Sequence, residues 1–166
     1  MDSAFFVQLL ADYAVFFVVG LAIWAFIMIP NNQKYNAYCR ILLAGLTAFL
    51  IAKLLASVYQ PAAYRPYELL GVAPGASYLD NPGFPSDHAL FVTAIALAVW
   101  FEARRKWLSL LLAVLVVVVC VGRVLALVHT PLDVVGGVLV ACVGGLWYLQ
   151  RDFPNGSRRP RQKQKA

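Results

Sequence analysis

The chain has 166 residues, which is enough for one domain of the usual size, roughly 100 to 200 residues. Hydrophobic residues make up 61% and charged residues only 13%, against roughly 45 to 50% and about 25% in soluble domains, so an ordinary soluble domain is excluded. The net charge of +6 would suit nucleic acid in another composition, but its distribution follows membrane topology, so no nucleic-acid partner is expected.

Five apolar runs predict the helices of an all-α transmembrane bundle. In chain order they cover about 4–29, 41–59, 88–101, 107–127 and 132–150. A spanning helix needs about 20 residues, so four of the runs are long enough. The third run is shorter, and we expect a cavity where one of its ends stops below the membrane surface. The first run lacks the positively charged start of a secretory signal peptide and is expected to be a retained helix.

The distribution of Lys and Arg predicts the orientation of the bundle. Placing 30–40, 103–106 and 151–166 on the cytoplasmic side puts most of the 14 cations there, as the positive-inside rule requires. The N-terminus then lies outside, the chain crosses five times, and the C-terminus lies inside. The segments 60–87 and 128–131 face outward.

The predicted organisation is one transmembrane domain, 1–153, followed by a basic cytoplasmic tail, 154–166. The tail is rich in Gly, Ser, Pro and charge, so we expect it to be disordered on anionic lipid headgroups. The last helix carries small residues that predict close approach of a neighbouring helix. They are Gly136, Gly137, Ala141, Gly144 and Gly145.

Three cations remain in or near the outward half of the bundle: Lys53, Arg65 and Arg123. Ionisable groups at membrane depth are costly and usually mark a functional site. These three would repel one another unless an anion bound between them. The sequence therefore predicts an anionic ligand. Asp12, within the first run, is either a polar contact between helices or part of a functional path, and both interpretations stay open.

The segment from Arg123 to Asp133 predicts a nucleophile. If a helix begins after Thr130, with Pro131 in its first turn, Asp133 lies in the same turn and His129 stands just before it. The carboxylate can then fix the imidazole tautomer and leave the other ring nitrogen free to attack. Arg123 offers a planar fork of donors for a phosphate. Each residue alone suits an ordinary role, as loop histidine, cap or snorkelling arginine, but their joint occurrence favours a site.

A second segment, Asn81 to His88, leads into the third run. Pro85 stops any preceding structure, and Ser86 is a good N-cap, so the helix start offers free N–H groups to a phosphate oxygen. His88 lies in the first turn, where a nearby carboxylate or bound anion would keep it protonated as a general acid. The alternative is a capped helix with an interfacial histidine. The chain has only 2 histidines, and both stand at outward helix starts.

The residues of these segments resemble the type 2 phosphatidic acid phosphatase superfamily, whose signature has three parts: K-x6-R-P, P-S-G-H and S-R-x5-H-x3-D. Arg123, His129 and Asp133 match the third part, with Gly122 in place of Ser. Pro85, Ser86 and His88 match the second part, with Asp87 in place of Gly. Phenylalanine before P-S-D-H resembles undecaprenyl diphosphatases of the bacitracin-resistance type.

The first part of the signature departs from the pattern. Gln60 and Pro61 stand where Arg and Pro are expected after Lys53, and Arg65 and Pro66 follow five positions later. Glutamine cannot replace a bidentate guanidinium cation. We therefore identify Arg65 as the arginine of the motif and assume an insertion before it. Without reference to the motif, Lys53 could snorkel to the membrane interface, and Arg65 could be an ordinary loop arginine.

The resemblance implies a lipid phosphatase that needs no metal or other cofactor. His129 would attack the terminal phosphorus to form a phosphohistidine, Asp133 would orient it, and His88 would protonate the leaving oxygen and then activate water. The residues expected to bind the substrate phosphates are Lys53, Arg65, Ser86, Asp87 and Arg123. The expected substrate is undecaprenyl diphosphate, at the outer face of a bacterial cytoplasmic membrane.

Other functions stay open. A phosphatase of phosphatidylglycerophosphate, phosphatidate or lipid A would need the same phosphate-binding residues. A transporter or flippase would bind a lipid phosphate without cleaving it, and would have little use for a His-Asp pair. A structural membrane subunit would leave the grouped histidines and arginines unexplained.

Overall fold

A computed structural model describes residues 3–62, 64–81 and 83–150, and every regular element within these ranges is helical. The all-α prediction is therefore confirmed. Helix α1 comprises Ser3–Gln8, a π-helical turn Leu9–Tyr13 and Ala14–Ile27; α2 is Asn31–Val58; α3 is Pro66–Leu70; α4 is Asp87–Ala98 with a π-helical turn Val99–Ala103; α5 is Lys106–Leu125; and α6 is Pro131–Gly144 with a 3-10 turn Gly145–Leu149. The predicted tail, 154–166, lies outside the described residues.

Four helices of the described chain are long and apolar enough to cross a membrane: Phe5–Ile27, Asn31–Val58, Lys106–Leu125 and Pro131–Leu149. The shorter α4 lies at the centre, where it contacts α1, α2, α5 and α6. The chain is thus a polytopic helical bundle. Its orientation, and the passage of α4 as a fifth crossing, stay predictions.

The helices pack through small residues and present large ones outward. On α2, Ala44, Ala48 and Ala52 are buried, whereas Leu46 and Leu50 are exposed. This pattern suits a lipid environment, in which close backbone approach rather than apolar burial holds helices together.

The predicted close approach along the last helix is confirmed at two of its glycines. A Cβ added at Gly144 would lie 2.4 Å from the carbonyl oxygen of Ala44 on α2. One added at Gly137 would lie 2.5 Å from the carbonyl oxygen of Ser86, directly before α4. Only residues without a side chain allow α6 to pack this tightly against both neighbours.

Helix α2 begins at Asn31, well before the apolar run 41–59 that predicted it, so the predicted start of this helix is wrong. Arg40 is buried and pairs with Glu102: the Nε–Oε1 distance is 2.7 Å and the Nη2–Oε2 distance is 2.8 Å. Glu102 neutralises the buried charge of Arg40 through this bidentate pair. Helix α2 can therefore include the polar stretch before the apolar run.

The segment between α2 and α4 folds over one end of the bundle. The backbone N–H of Tyr67 donates to Leu127 O (3.0 Å), and that of Gly75 donates to Ala126 O (2.9 Å). These bonds hold α3 and its flanking loops against the turn between α5 and α6. All three sequence motifs therefore meet at this end, while the Arg40–Glu102 pair lies at the other end of α4.

Candidate active site

The first turn of α6 presents His129 beside Asp133. Thr130 is the N-cap: its Oγ1 accepts from Asp133 N (3.2 Å), and Asp133 Oδ2 accepts from Thr130 N (2.7 Å). The predicted helix start is confirmed. This capping box aims the carboxylate back along the chain, so that Oδ2 lies 3.7 Å from Nδ1 of His129. The distance between Nδ1 and Oδ2 is longer than that of a hydrogen bond, as is common for catalytic contacts before substrate binds. The other ring nitrogen, Nε2, is on the opposite edge of the imidazole.

The start of α4 is tied directly to this turn. The backbone N–H of Ser86 donates to the carbonyl oxygen of Asp133 (2.9 Å). Ser86 is the predicted N-cap, and its hydroxyl accepts from the backbone N–H of Ala89. The side chain of Ser86 is completely buried, so its direct contact with a phosphate stays a prediction. His88, two residues on, is brought close to His129.

One pocket gathers residues from all three motifs. Five of the predicted site residues share it: Arg65, Asp87, His88, Arg123 and His129. Leu79, Asn81 and Pro85 complete its lining. The other predicted residues flank it. Lys53 lines a neighbouring cavity on the side of α2, and Asp133 lines another beneath the outer segment.

Arg65, rather than Gln60, enters this pocket. Its guanidinium donates to three backbone carbonyl oxygens, those of Val128 (2.7 Å), Leu79 (3.0 Å) and Asn81 (3.0 Å). Gln60 instead holds the loop before α4: its Nε2 donates to Phe84 O (2.9 Å), and its Oε1 accepts from Phe84 N (3.3 Å). This placement supports Arg65 as the arginine of the first motif.

Lys53 reaches the pocket only through other side chains. Its Nζ lies 3.3 Å from Oδ1 of Asp87, whose Oδ2 accepts from Asn81 Nδ2 (2.9 Å). The side-chain oxygen of Asn81 in turn accepts from Arg65 (3.1 Å). A chain of polar contacts thus runs from Lys53 to Arg65. Asn81 was missed in the sequence, since no spacing marks it as different from any loop asparagine.

Arg123 is held from behind by an acidic residue that the sequence left unassigned. Its Nη1 donates to Oδ1 of Asp12 on α1 (3.0 Å) and to the carbonyl oxygen of Ser77 (2.7 Å). Two of the three site cations are therefore paired with carboxylates, and Arg65 is bound by carbonyl oxygens. The two carboxylates, those of Asp12 and Asp87, come from parts of the chain distant from the cations that they bind.

The surroundings of His129 favour its neutral form. Burial lowers the pKa of this imidazole, the adjacent Asp133 opposes the shift, and the charges of Arg123 and Arg65 lower the pKa further. A histidine with a lowered pKa keeps its lone pair at neutral pH. That is the protonation state required for attack on phosphorus.

The acidic limb of activity should report this shift. Because kcat/KM falls as free His129 becomes protonated, its acidic limb is expected below the ordinary histidine value of about 6.5. Arg65→Gln removes a charge that lowers the pKa, so we expect the limb to move to higher pH in a pH–rate profile. Substrate ionisation is the same for both proteins and cancels in the comparison.

Arg104→Gln is the matched control for this profile. It removes an exposed cation from the far end of α4 and should leave the limb where it is in the wild type. A limb unmoved by Arg65→Gln, or moved equally by Arg104→Gln, would contradict the assignment.

The sequence was also compared with known proteins. Residues 34–156 match the family model of the PAP2 superfamily. The chain is 29% identical over 148 residues to a bacitracin transport permease protein, BcrC, of Bacillus licheniformis, covering 85% of this chain and 68% of that protein. It is 26% identical over 145 residues to the undecaprenyl-diphosphatase BcrC of Bacillus subtilis (strain 168), covering 85% and 70%.

A shorter match is stronger in identity. The chain is 45% identical over 68 residues to a putative undecaprenyl-diphosphatase, YbjG, of Escherichia coli (strain K12), covering 40% of this chain and 33% of that protein. No solved structure matches the chain significantly.

Proposed function

Since this chain belongs to the PAP2 superfamily and is a membrane-embedded lipid phosphate hydrolase, we propose that it removes the terminal phosphate of undecaprenyl diphosphate. The observation that carries the proposal is the meeting of His88, His129, Arg65 and Arg123 in one pocket, with Asp133 against His129. Two relatives named as undecaprenyl-diphosphatases support the choice of substrate.

The first chemical step forms a phosphohistidine. Nε2 of His129 attacks the terminal phosphorus, and the bond from that phosphorus to the bridging oxygen breaks. Arg65 and Arg123 bind the equatorial oxygens, where charge accumulates in the transition state. Nε of Arg123 is buried and has no hydrogen-bond partner among the described residues, so this donor is free for a phosphate oxygen.

The second step returns the enzyme to its starting state. His88, having given its proton to the leaving oxygen, accepts a proton from water as that water attacks the phosphorus. The P–N bond breaks and inorganic phosphate leaves. Asp133 stabilises the positive charge that His129 carries while it is phosphorylated.

A groove beside the pocket suits a lipid tail. It is lined on the α2 side by Ala52, Ala56 and Lys53, and on the other side by Phe84 and Pro85. Its volume is about 240 Å³ and its walls are mostly apolar. The Lys53–Asp87 pair stands where this groove meets the phosphate pocket, so a prenyl chain in the groove would place its diphosphate beside His129.

The outer face of a bacterial cytoplasmic membrane is the proposed location of the reaction. Lys34, Arg104, Arg105 and Lys106 gather at the end of the bundle opposite the pocket. Clusters of Lys and Arg mark cytoplasmic ends of membrane proteins, which supports an outward-facing site. The reaction would then recycle the carrier lipid where envelope polymers are assembled.

The test is release of phosphate from a panel of lipids by the detergent-solubilised protein with a chelator present. We expect kcat/KM for undecaprenyl diphosphate to exceed that for phosphatidate and phosphatidylglycerophosphate by roughly tenfold, which corresponds to an activation free energy lower by about 1.4 kcal/mol. A His129→Ala preparation, purified identically, serves as the blank. A higher kcat/KM for phosphatidate would overturn the proposed substrate while leaving the reaction class intact.

A further inference from the structure

A closed set of contacts behind the pocket joins α1, the outer segment and α5. Asp12 accepts from Arg123 with Oδ1 (3.0 Å) and from the backbone N–H of Ser77 with Oδ2 (2.9 Å). The carbonyl oxygen of Ser77 accepts from the same Nη1 of Arg123 (2.7 Å). Both carboxylate oxygens are therefore used, and the guanidinium is fixed by two acceptors at one nitrogen.

Local features of both helices produce this arrangement. The π-helical turn Leu9–Tyr13 contains Asp12, and such turns often occur at functional sites because they redirect side chains. On α5, Gly122 stands immediately before Arg123. A Cβ at Gly122 would lie only 2.7 Å from the backbone nitrogen of Ala11. Glycine therefore allows α1 to approach close enough for its carboxylate to reach Arg123.

We propose that Asp12 is a positioning residue, which holds Arg123 by Nη1 so that its unpartnered Nε is presented to the substrate phosphate; this role rests on the proposed phosphatase function. The side chain of Arg123 is 1% exposed and that of Asp12 is 13% exposed, so this ion pair is largely shielded from water. A buried guanidinium that loses its anionic partner is left as an uncompensated charge. Without Asp12, Nη1 of Arg123 retains the carbonyl oxygen of Ser77 as its acceptor, which fixes the direction of Nε less well.

The variant that tests this role is Asp12→Asn, which keeps the size of the side chain and removes its charge. We expect kcat/KM to fall roughly 10 to 100-fold, as is typical when a residue that orients a functional group is lost. The inhibition constant of orthovanadate, which mimics pentacoordinate phosphorus, should rise by a similar factor. A merely structural role would lower the fraction of folded enzyme and leave KM and the vanadate inhibition constant unchanged, and that outcome would overturn the proposal.

A double-variant comparison separates action through Arg123 from independent action. If Asp12 acts by holding Arg123, the combination of Asp12→Asn with Arg123→Gln should be no slower than Arg123→Gln alone. Losses that multiply would overturn the proposal. Tyr13→Phe, an exposed change in the same π-helical turn, is the matched control and should retain wild-type kinetics.

Failure of the proposed function can be recognised independently. Binding of orthovanadate, measured as the shift in thermal unfolding of the wild type and of Asp12→Asn, requires no turnover and no particular lipid. Weaker binding to the variant supports the positioning role even if undecaprenyl diphosphate is not hydrolysed. Equal binding to both proteins overturns it even if undecaprenyl diphosphate is hydrolysed.

Discussion

Replacing His129 by alanine is expected to lower kcat for undecaprenyl diphosphate by about 10³-fold or more, since losing a catalytic nucleophile costs at least this much in comparable hydrolases. Without the imidazole no phosphohistidine forms. The arginines that bind the phosphates remain, because Arg65 is held by backbone carbonyl oxygens and Arg123 by Asp12. KM should therefore change little. Phosphate release by equal amounts of folded wild type and variant, with a chelator present, measures the loss.

The intermediate provides a direct control. Wild-type enzyme quenched during turnover of substrate labelled in its terminal phosphate should carry an acid-labile label, and the His129→Ala variant should carry none. The fold should survive, because the capping box joins Thr130 to Asp133 without the imidazole. A variant that retains turnover would refute His129 as nucleophile. If neither protein hydrolyses lipid phosphates although both bind them, the transporter becomes the better explanation.

The helical bundle was predictable because hydropathy over about 20 residues is a local signal. The same measure placed the start of α2 too late. Arg40 lies 62 residues from Glu102 in the chain, so the pairing that lets a polar stretch enter the bundle is a tertiary effect. Hydropathy alone could not show that the buried charge of Arg40 has a partner in the folded protein.

Local geometry also explains which parts of the site could be predicted. His129 and Asp133 are four residues apart, and Thr130 with Pro131 marks the helix start between them, so their proximity follows from the chain itself. A backbone hydrogen bond from Ser86 N to Asp133 O joins the two histidine motifs. No pattern of side chains in the sequence could have predicted it.

Asp12 shows the limit of the sequence most clearly. It is separated from Arg123 by 111 residues. The position of a single carboxylate within an apolar run does not identify the residue with which it pairs. The cost of an unpaired charge in a membrane does imply that some partner exists. Together with the excess of outward cations, that argument could have suggested a pair, but three cations were candidates and only the fold selects Arg123.

His88→Ala should separate substrates by their leaving groups. The leaving group of undecaprenyl diphosphate is the phosphate oxygen of the monophosphate, whose conjugate acid has a pKa of about 6. Its departure therefore needs little general-acid catalysis. Phosphatidate expels an alkoxide, whose conjugate acid resembles water with a pKa of about 15.7. We therefore expect kcat/KM to fall by roughly 10² to 10⁴-fold for phosphatidate and by much less for undecaprenyl diphosphate, measured side by side.

The second step gives the same variant another signature. Because His88 also activates water, its loss should slow hydrolysis of the phosphohistidine for every substrate. With undecaprenyl diphosphate, formation of the intermediate then outpaces its breakdown, and the labelled phosphoenzyme should accumulate above the wild-type level. His88→Gln, which keeps a polar side chain but transfers no proton, should behave like His88→Ala. Equal losses of kcat/KM for both lipids, with no accumulation, would mean that His88 binds the phosphate and moves no proton.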